Sequence, residues 1–96
     1  MSKIADLIGR KLENLPASPG VYLFHDARGK IIYIGKGKNL RHRVRSYFQK
    51  RGAADFKSAY LAANARDLDI VITDSEVEAL ILESALVKKH QPLLNI

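Results

Sequence analysis

The stretch that decides the fold is KIIYIGKGKNLRHRVRSYF, residues 30–48. It begins as an apolar strand and breaks at Gly35. The ten residues that follow carry five basic side chains and no acidic one: Lys36, Lys38, Arg41, Arg43 and Arg45. Because these charges stand where a strand ends and a helix begins, the stretch indicates a surface built to hold a polyanion.

The residues just before this stretch predict its partner strand. Pro16 and Pro19 exclude a helix there, and VYLFH follows Gly20 as a short apolar strand. Asp26 to Gly29 has turn chemistry, so residues 20–35 are predicted to form a β-hairpin. A loop of two or four residues would place Tyr22 directly across from Tyr33, on the same face. A three-residue loop with Gly29 in a bulge would break that register.

Two helices are predicted on either side of the hairpin. Apolar residues recur at helical spacing through residues 2–13, within an N-terminal helical segment 1–14, although Gly9 weakens the pattern. Asn39 is a suitable N-cap for a second helix. The apolar stripe of that second helix would be Leu40, Val44, Tyr47 and Phe48.

The second half of the chain predicts two more helices and a third strand. Residues 53–65 form the third helix, with Phe56, Tyr60 and Leu61 facing inward, and residues 68–73 form the strand. Ser75 and Glu78 make a capping box that opens a last helix, residues 76–90, which ends before Pro92. The fold class is therefore α+β: a small, three-stranded, mostly antiparallel sheet covered by helices.

Composition limits the function classes. The chain has 96 residues, a net charge of +6 and a pI near 9.8, which favour one domain over residues 1–96 and a nucleic-acid partner. It has no cysteine, which excludes disulfides and thiolate zinc sites and suits a reducing, cytoplasmic compartment. The sequence supports neither a signal peptide nor a membrane span. IGKGK lacks the P-loop spacing, which argues against nucleotide hydrolysis.

Three kinds of position are not explained by packing alone. Glu83 has apolar neighbours around it on the last helix. It is therefore either part of a structural ion pair or a residue that binds a metal or takes part in catalysis. Tyr22 and Tyr33 are either simple cross-strand packing or donors and a base at a phosphate site. Arg43 borders the apolar stripe and is a candidate for a specific phosphate contact, whereas Arg41 and Arg45 are predicted to face solvent and bind phosphates non-specifically.

These residues together resemble the GIY-YIG nuclease family, and most closely its UvrC-type members. The similarity lies in the phrases LPASPGVY, IIYIGKGKNLRHRVRSYF, EALILESALVKKH and PLLNI, and it covers about residues 13–96. Small departures are Val21 where the family name has Ile, and Gly37 where Lys-Ala-Lys is usual. Leu93-Leu94 stands before Asn95 where a basic residue and a tyrosine are usual.

The resemblance implies a metal-dependent endonuclease that nicks one strand of damaged duplex DNA, on the 3′ side of the lesion. It implies one Mg²⁺ or Mn²⁺ ion, with Glu83 as the metal-binding carboxylate. The implied catalytic residues are Tyr22, Tyr33, Lys36, Arg43, Glu83 and Asn95. Tyr33 is expected to be the general base. The expected DNA-binding residues are Lys36, Lys38, Arg41, Arg43, Arg45, Lys50 and Arg51.

The resemblance also implies a larger context. UvrC-type proteins are much longer, so the chain is expected to be a monomeric domain excised from a multidomain protein, with a UvrB-type partner that binds a region absent here. Two alternatives stay open. One is a basic DNA-binding module without catalysis, and the other is a stand-alone GIY-YIG nuclease of different biology.

Overall fold

The computed structural model describes residues 3–49 and 55–95. Its helices and strands follow the predicted order, with α1 at Lys3–Glu13, β1 at Gly20–His25, β2 at Ile31–Gly37, α2 at Leu40–Ser46, α3 at Phe56–Asn64, β3 at Asp67–Ile72 and α4 at Glu76–His90. A short 3₁₀ turn, Leu93–Asn95, closes the described chain. Residues 53 and 54, the predicted start of the third helix, lie outside the described residues.

The sheet is fully antiparallel, with β1 in the centre and β2 and β3 on either side of it. The hairpin loop has three residues, 27–29, because the Gly29 N–H donates to the Asp26 carbonyl and the Asp26 N–H donates to the Lys30 carbonyl. The register expected for a two- or four-residue loop does not form, and the alternative with Gly29 in a bulged loop is confirmed. Tyr22 lies across from Gly35 and Tyr33 lies across from Phe24, because a bulge between Phe24 and His25 shifts the pairing. Gly29 has a φ of 83° in the turn, as a bulged loop requires. Because the slip is two residues, both tyrosines stay on one face of the sheet.

Each face of the sheet carries its own core. On one face, Tyr22, Phe24 and Tyr33 pack with buried residues of the first three helices, including Ile8, Val44 and Leu61. On the other face, a smaller cluster joins Val21, Leu23 and Ile34 to Ala79 of α4, with Leu82, Leu86 and Val87 packed against it. From Tyr33 onward, residues of β2 therefore alternate between the α2 and α3 side and the α4 side. Ile32, at the bulge, packs on the same side as Tyr33.

The helix starts follow local capping chemistry. The Asn39 side chain accepts a hydrogen bond from the His42 backbone N–H, and the Ser75 hydroxyl accepts one from the Glu78 N–H. Both caps confirm the predicted starts. The Glu78 carboxylate bonds the Asp74 N–H instead of completing the box at Ser75. Asp55, which the sequence did not single out, caps α3 by accepting from the Ser58 N–H.

Two further details position the rest of the chain. Leu61 is buried as predicted, but Phe56 is 74% exposed, so its predicted inward orientation is wrong. The last helix ends at His90, and the capping residue Gln91, whose φ of 43° is left-handed, and then Pro92 follow it. None of the helices in the described part of the chain is long and apolar enough to cross a membrane.

Candidate active site

Three tyrosines meet on the sheet face that α2 and α3 cover. The rings of Tyr22, Tyr33 and Tyr47 form a triangle whose centroid separations are 5.9–6.1 Å. The hydroxyls of Tyr22 and Tyr47 share a hydrogen bond of 2.7 Å. Each phenol comes from a different element: β1, β2 and the residue after α2. The structure thus brings the two predicted tyrosines together and adds Tyr47, which the sequence placed only in an apolar stripe.

Gly35 makes this arrangement possible. The Tyr22 ring lies directly over it, so a Cβ at position 35 would come within 2.3 Å of the Tyr22 Cζ and hydroxyl oxygen. Gly37 plays a similar part for α2, since a Cβ there would meet the Arg43 Cβ at 2.9 Å. These two glycines of β2 let a phenol and the arginine-bearing helix approach the backbone more closely than any side chain would allow.

Two cations adjoin the tyrosines. Arg43 donates from Nε to the Tyr22 hydroxyl at 3.3 Å, and its guanidinium lies 5.3 Å from the Tyr47 ring centre. Lys57 donates from Nζ to the Tyr33 hydroxyl at 3.3 Å and lies 4.5 Å from that ring centre. Sequence reasoning found Arg43 but missed Lys57. The only signal available for Lys57 was its position next to the predicted inward face of α3.

Burial and neighbouring groups change the pKa values of Tyr22, Tyr47 and Arg43. Burial raises the pKa of Tyr22 to about 12, against the opposing effects of the Tyr47 hydrogen bond and Arg43. Burial and the neighbouring Tyr22 also raise the pKa of Tyr47. Partial burial alone would lower the pKa of Arg43, but the Tyr22 oxygen beside it prevails and raises that pKa. Tyr22 and Tyr47 therefore stay neutral near pH 7 and serve as hydrogen-bonding groups around a permanent cation.

Lys36 and Glu83 belong to the opposite side of the sheet. Lys36 lies across from Val21, which packs against α4, so alternation directs the Lys36 side chain toward the α4 face. Glu83 projects from α4 and is half-buried. Within the described residues, neither Lys36 nor Glu83 forms a hydrogen bond or an ion pair with the tyrosine cluster. Between the two groups runs β2, which is an edge strand of the sheet.

The ion-pair interpretation of Glu83 gains no support. The two ion pairs within residues 3–49 and 55–95 are Lys11–Asp67 and His25–Asp69, and neither includes Glu83. Glu83 instead lines an open cavity with Ser84, Val87, Lys88 and Asn95. No cluster of three or more acidic, histidine or cysteine side chains suited to a metal occurs in the described chain. An ion at this position would therefore have one carboxylate and would need water and phosphate oxygens as its other ligands.

Asn95 has a specific contact. Its side-chain oxygen accepts from the Ile34 N–H at 2.9 Å, and its side-chain nitrogen donates to the Ile34 carbonyl at 2.7 Å. The amide thus pairs with β2 as a further strand residue would, and it covers part of an otherwise open edge. Asn95 holds the C-terminal turn beside β2, next to the cavity that Glu83 lines.

The basic side chains of α2 are less free than predicted. Arg41 and Arg45 are exposed, but Arg41 donates to the Leu15 carbonyl at 2.9 Å and Arg45 donates to the Leu12 carbonyl at 3.0 Å. Both side chains therefore also fasten the end of α1 to α2. Lys38 is exposed beside the start of α2. Lys50 and Arg51, predicted to bind DNA, lie outside the described residues.

Comparison with known proteins assigns the domain type. A family model described as the UvrC-like GIY-YIG domain matches residues 18–96. The chain is 52% identical over 86 residues to UvrABC system protein C of Carboxydothermus hydrogenoformans and 51% identical over 89 residues to that of Chlorobaculum tepidum. These alignments include 90% and 93% of this chain but only 14% of each relative, so the chain spans about one-seventh of their length.

Solved structures share the fold. The N-terminal GIY-YIG endonuclease domain of UvrC from Thermotoga maritima, bound to its catalytic divalent cation, magnesium, superposes with a TM-score of 0.84 at 36% identity, covering all of both chains. A variant of that domain with one tyrosine replaced by phenylalanine was also solved with the cation bound. The predicted fold class, a three-stranded antiparallel sheet covered by helices, is confirmed.

Proposed function

The chain belongs to the family of UvrC-like GIY-YIG domains, and from that premise we propose that it is a divalent-metal-dependent endonuclease domain that hydrolyses one phosphodiester bond of DNA. In a full-length UvrC-type protein the cut would be one nick beside a lesion in nucleotide excision repair, on the 3′ side by family resemblance, with a UvrB-type partner. The observation that carries the proposal is the convergence of Tyr22, Tyr33 and Arg43 on one sheet face.

We expect a DNA phosphate to bind beside these groups. Arg43 uses Nε for Tyr22, which leaves its two terminal nitrogens to face phosphoryl oxygens. Arg43 and Lys57 line one cavity together with Tyr47 and Ser46. Two cations over phenol rings would bind a DNA phosphate and stabilise the charge that develops on it during hydrolysis.

Tyr33 is the phenol best placed to act as general base. Tyr22 and Tyr47 hold their protons, because burial raises the pKa of each. The Tyr33 hydroxyl instead accepts a hydrogen bond from the Lys57 ammonium at 3.3 Å, in the cluster that Arg43 adjoins. As a phenolate, Tyr33 would take a proton from the attacking water, whose oxygen forms a new bond to phosphorus as the bond to the leaving deoxyribose oxygen breaks. A second water would supply the proton that the leaving oxygen takes up.

Glu83 would hold the cation. Its half-buried carboxylate, free of an ion pair within the described chain, suits Mg²⁺ or Mn²⁺ with water and phosphate completing the coordination. When bound, such an ion supplies positive charge at the phosphate. DNA that crosses the edge of β2 would contact both the tyrosine face and the α4 side, where Lys36 and Glu83 lie. Asn95 forms hydrogen bonds with the backbone of Ile34 at that edge.

Metal titration with matched variants tests this proposal. Wild-type chain should bind one Mn²⁺, followed by electron paramagnetic resonance, and Glu83→Gln should bind it at least tenfold more weakly. Glu76→Gln is the control, because Glu76 is an exposed carboxylate on the same helix. Nicking of a duplex with one bulky lesion, with and without a UvrB-type protein, should be lost in Glu83→Gln. Equal metal binding by both variants would leave the basic DNA-binding module as the better account.

Tyr33→Phe provides the second arm of the test. It should bind Mn²⁺ normally and lose cleavage by about a hundredfold or more, as removal of a general base does. Lys57→Met should lower the cleavage rate as well, and Lys57→Arg should restore part of it. Near-normal cleavage by Tyr33→Phe would assign the base elsewhere while leaving the metal site intact.

A further inference from the structure

Phe56 is the first residue of α3, and 74% of it is exposed. Its ring is nevertheless held in place, because Tyr60 lies one turn later with its ring centre 5.9 Å away, and Tyr60 packs against the main core. An aromatic ring that is supported from behind and open in front presents a flat apolar surface to solvent. Among the exposed large hydrophobic side chains of the described residues, Phe56 is the most exposed and the only aromatic one.

The position of this ring is informative. The next residue, Lys57, donates to the Tyr33 hydroxyl. Asp55, Lys57 and Ser58 also share a cavity with Arg43 and Tyr47. Phe56 does not line this cavity, but it lies in the chain between Asp55 and Lys57, which do. The nearby Asp55 carboxylate is engaged by the Ser58 N–H and hydroxyl, as the cap of α3.

We propose that Phe56 is a stacking platform for an unpaired base of the DNA strand whose phosphate lies against Arg43 and Lys57. This proposal rests on the proposed function and adds the form of DNA that the site prefers. An aromatic ring stacks on any base, so the contact tolerates all sequences. A base inside an intact duplex has both faces covered, whereas a base freed by helix distortion has a face available. Phe56 would thereby favour distorted or single-stranded DNA over intact duplex.

The chain offers a clean reporter, since it contains no tryptophan. Phe56→Trp places one fluorophore at the proposed contact, and Val77→Trp places a control fluorophore on α4, where Val77 is 67% exposed. Each variant is titrated in chelator with a single-stranded 12-mer, its duplex, and a strand of the same length that has abasic sites throughout. Emission of the Phe56→Trp variant should be quenched by the base-bearing single strand, weakly by the duplex, and not by the abasic strand. Val77→Trp should respond to none of them.

Affinities of side-chain variants complete the test. Phe56→Ala should bind the single strand about 5- to 100-fold more weakly, as loss of one stacked base predicts, and bind the duplex nearly unchanged. Phe56→Leu should behave like Phe56→Ala if stacking, rather than general apolar contact, is responsible. Since the side chain is exposed, the melting temperature should stay the same in every variant.

The outcomes separate the two proposals. Equal single-strand binding by the unmodified chain and Phe56→Ala, or equal quenching by abasic and base-bearing strands, would overturn the stacking site alone. Normal stacking with no cleavage in Mn²⁺ and partner protein would instead count against the endonuclease proposal. Failure of the unmodified chain to bind any of the DNA forms would overturn both.

Discussion

At the scale of single residues, the site depends on where a side chain is missing. Tyr22 is completely buried, yet its hydroxyl contacts both Tyr47 and Arg43. It reaches them by crossing the bare backbone of Gly35. Gly35, which follows Tyr33 in the second motif, is therefore needed to position Tyr22 of the first motif. The two tyrosines are eleven residues apart in the sequence.

Gly35→Ala should disrupt the site and destabilise the fold together. The new methyl would overlap the Tyr22 ring at 2.3 Å, and neither group can move freely inside the core. We expect the free energy of unfolding to fall by about 2–3 kcal/mol, a typical cost of overpacking. Urea unfolding measures this loss, and near-ultraviolet circular dichroism reports the tyrosine environment.

Gly9→Ala is the matched control for that experiment. No atom lies within 4 Å of a Cβ at position 9 in helix α1, so alanine should raise the free energy of unfolding by about 0.5–1 kcal/mol. If Gly35→Ala were as benign as Gly9→Ala, the close approach of Tyr22 would not be a constraint on the fold.

The hydroxyl of Tyr22 should also make stability depend on alkaline pH. Its pKa is raised to about 12 by burial, against about 10 in an unfolded chain. The contribution is fully present below pH 10 and is lost as pH rises from 10 through 12, since only the unfolded state releases the proton there. The loss is about 3 kcal/mol over that window.

Tyr22→Phe removes this titration. Its unfolding free energy, measured in urea at several pH values between about 9 and 11.5, should fall less steeply than that of the wild type. Tyr60→Phe, which removes a hydroxyl outside the cluster, is the comparison. Parallel curves for wild type and Tyr22→Phe would mean that Tyr22 ionises in the folded protein as easily as in the unfolded one.

At the scale of secondary-structure elements, the helix caps could be predicted from the sequence, whereas the register of the hairpin could not be decided between its alternatives. Asn39 and Ser75 start their helices as predicted, because a cap depends on residues within one turn. The hairpin register depends on a bulge near His25 and on the turn at Gly29, and several loop geometries suit the same sequence. The orientation of Phe56 was missed because helical spacing alone cannot reveal where α3 leaves the core.

The basic side chains of α2 also hold the end of α1 in place, which the sequence of α2 does not reveal. Arg45 donates to the carbonyls of Leu12 and Glu13, so two carbonyls in the last turn of α1 that lack helical partners are satisfied. Arg41 donates to the carbonyl of Leu15, two residues after the helix. A positive charge near a helix C-terminus is favourable in addition. These arginines join two helices as well as adding to the basic surface.

Arg45→Gln should therefore weaken the docking of α1. We expect the free energy of unfolding to fall by about 1 kcal/mol, the usual net value of such hydrogen bonds. Amide exchange should accelerate in the last turn of α1. Lys38→Gln removes the same charge from an exposed site and should leave both measurements unchanged. A loss confined to DNA binding, with α1 exchange unaltered, would contradict the structural role of Arg45.

At the scale of the whole molecule, the candidate site residues lie on two opposite faces of the sheet. Tyr22, Tyr33, Arg43 and Lys57 occupy one face, and Lys36 and Glu83 occupy the α4 side. The sequence indicated most of these residues by type, because a carboxylate among apolar neighbours or a tyrosine in each strand is visible without a structure. It could not show Lys57 on Tyr33, a contact across 24 positions that depends on how α3 packs.

Charge is divided in the same way, and this makes a final prediction possible. The net charge is +6, but the exposed acids Asp74, Glu76 and Glu78 lie at the start of α4, which packs on the opposite face of the sheet from the basic α2. If DNA binds through local contacts on the basic side, affinity depends on which side chain carries a charge. If overall attraction dominates, only the net charge matters.

The double variant Lys38→Gln/Glu76→Gln separates these cases, because it removes one charge of each sign and keeps the net charge at +6. For local contacts, the slope of log K against log salt should become shallower by about 0.9, the contribution of one phosphate contact. Glu76→Gln alone should leave the slope unchanged, although it raises the net charge. Fluorescence anisotropy with a duplex at several salt concentrations gives these slopes. A double variant with the wild-type slope, together with a steeper slope for Glu76→Gln, would show that DNA responds to total charge and not to the face that carries the tyrosines.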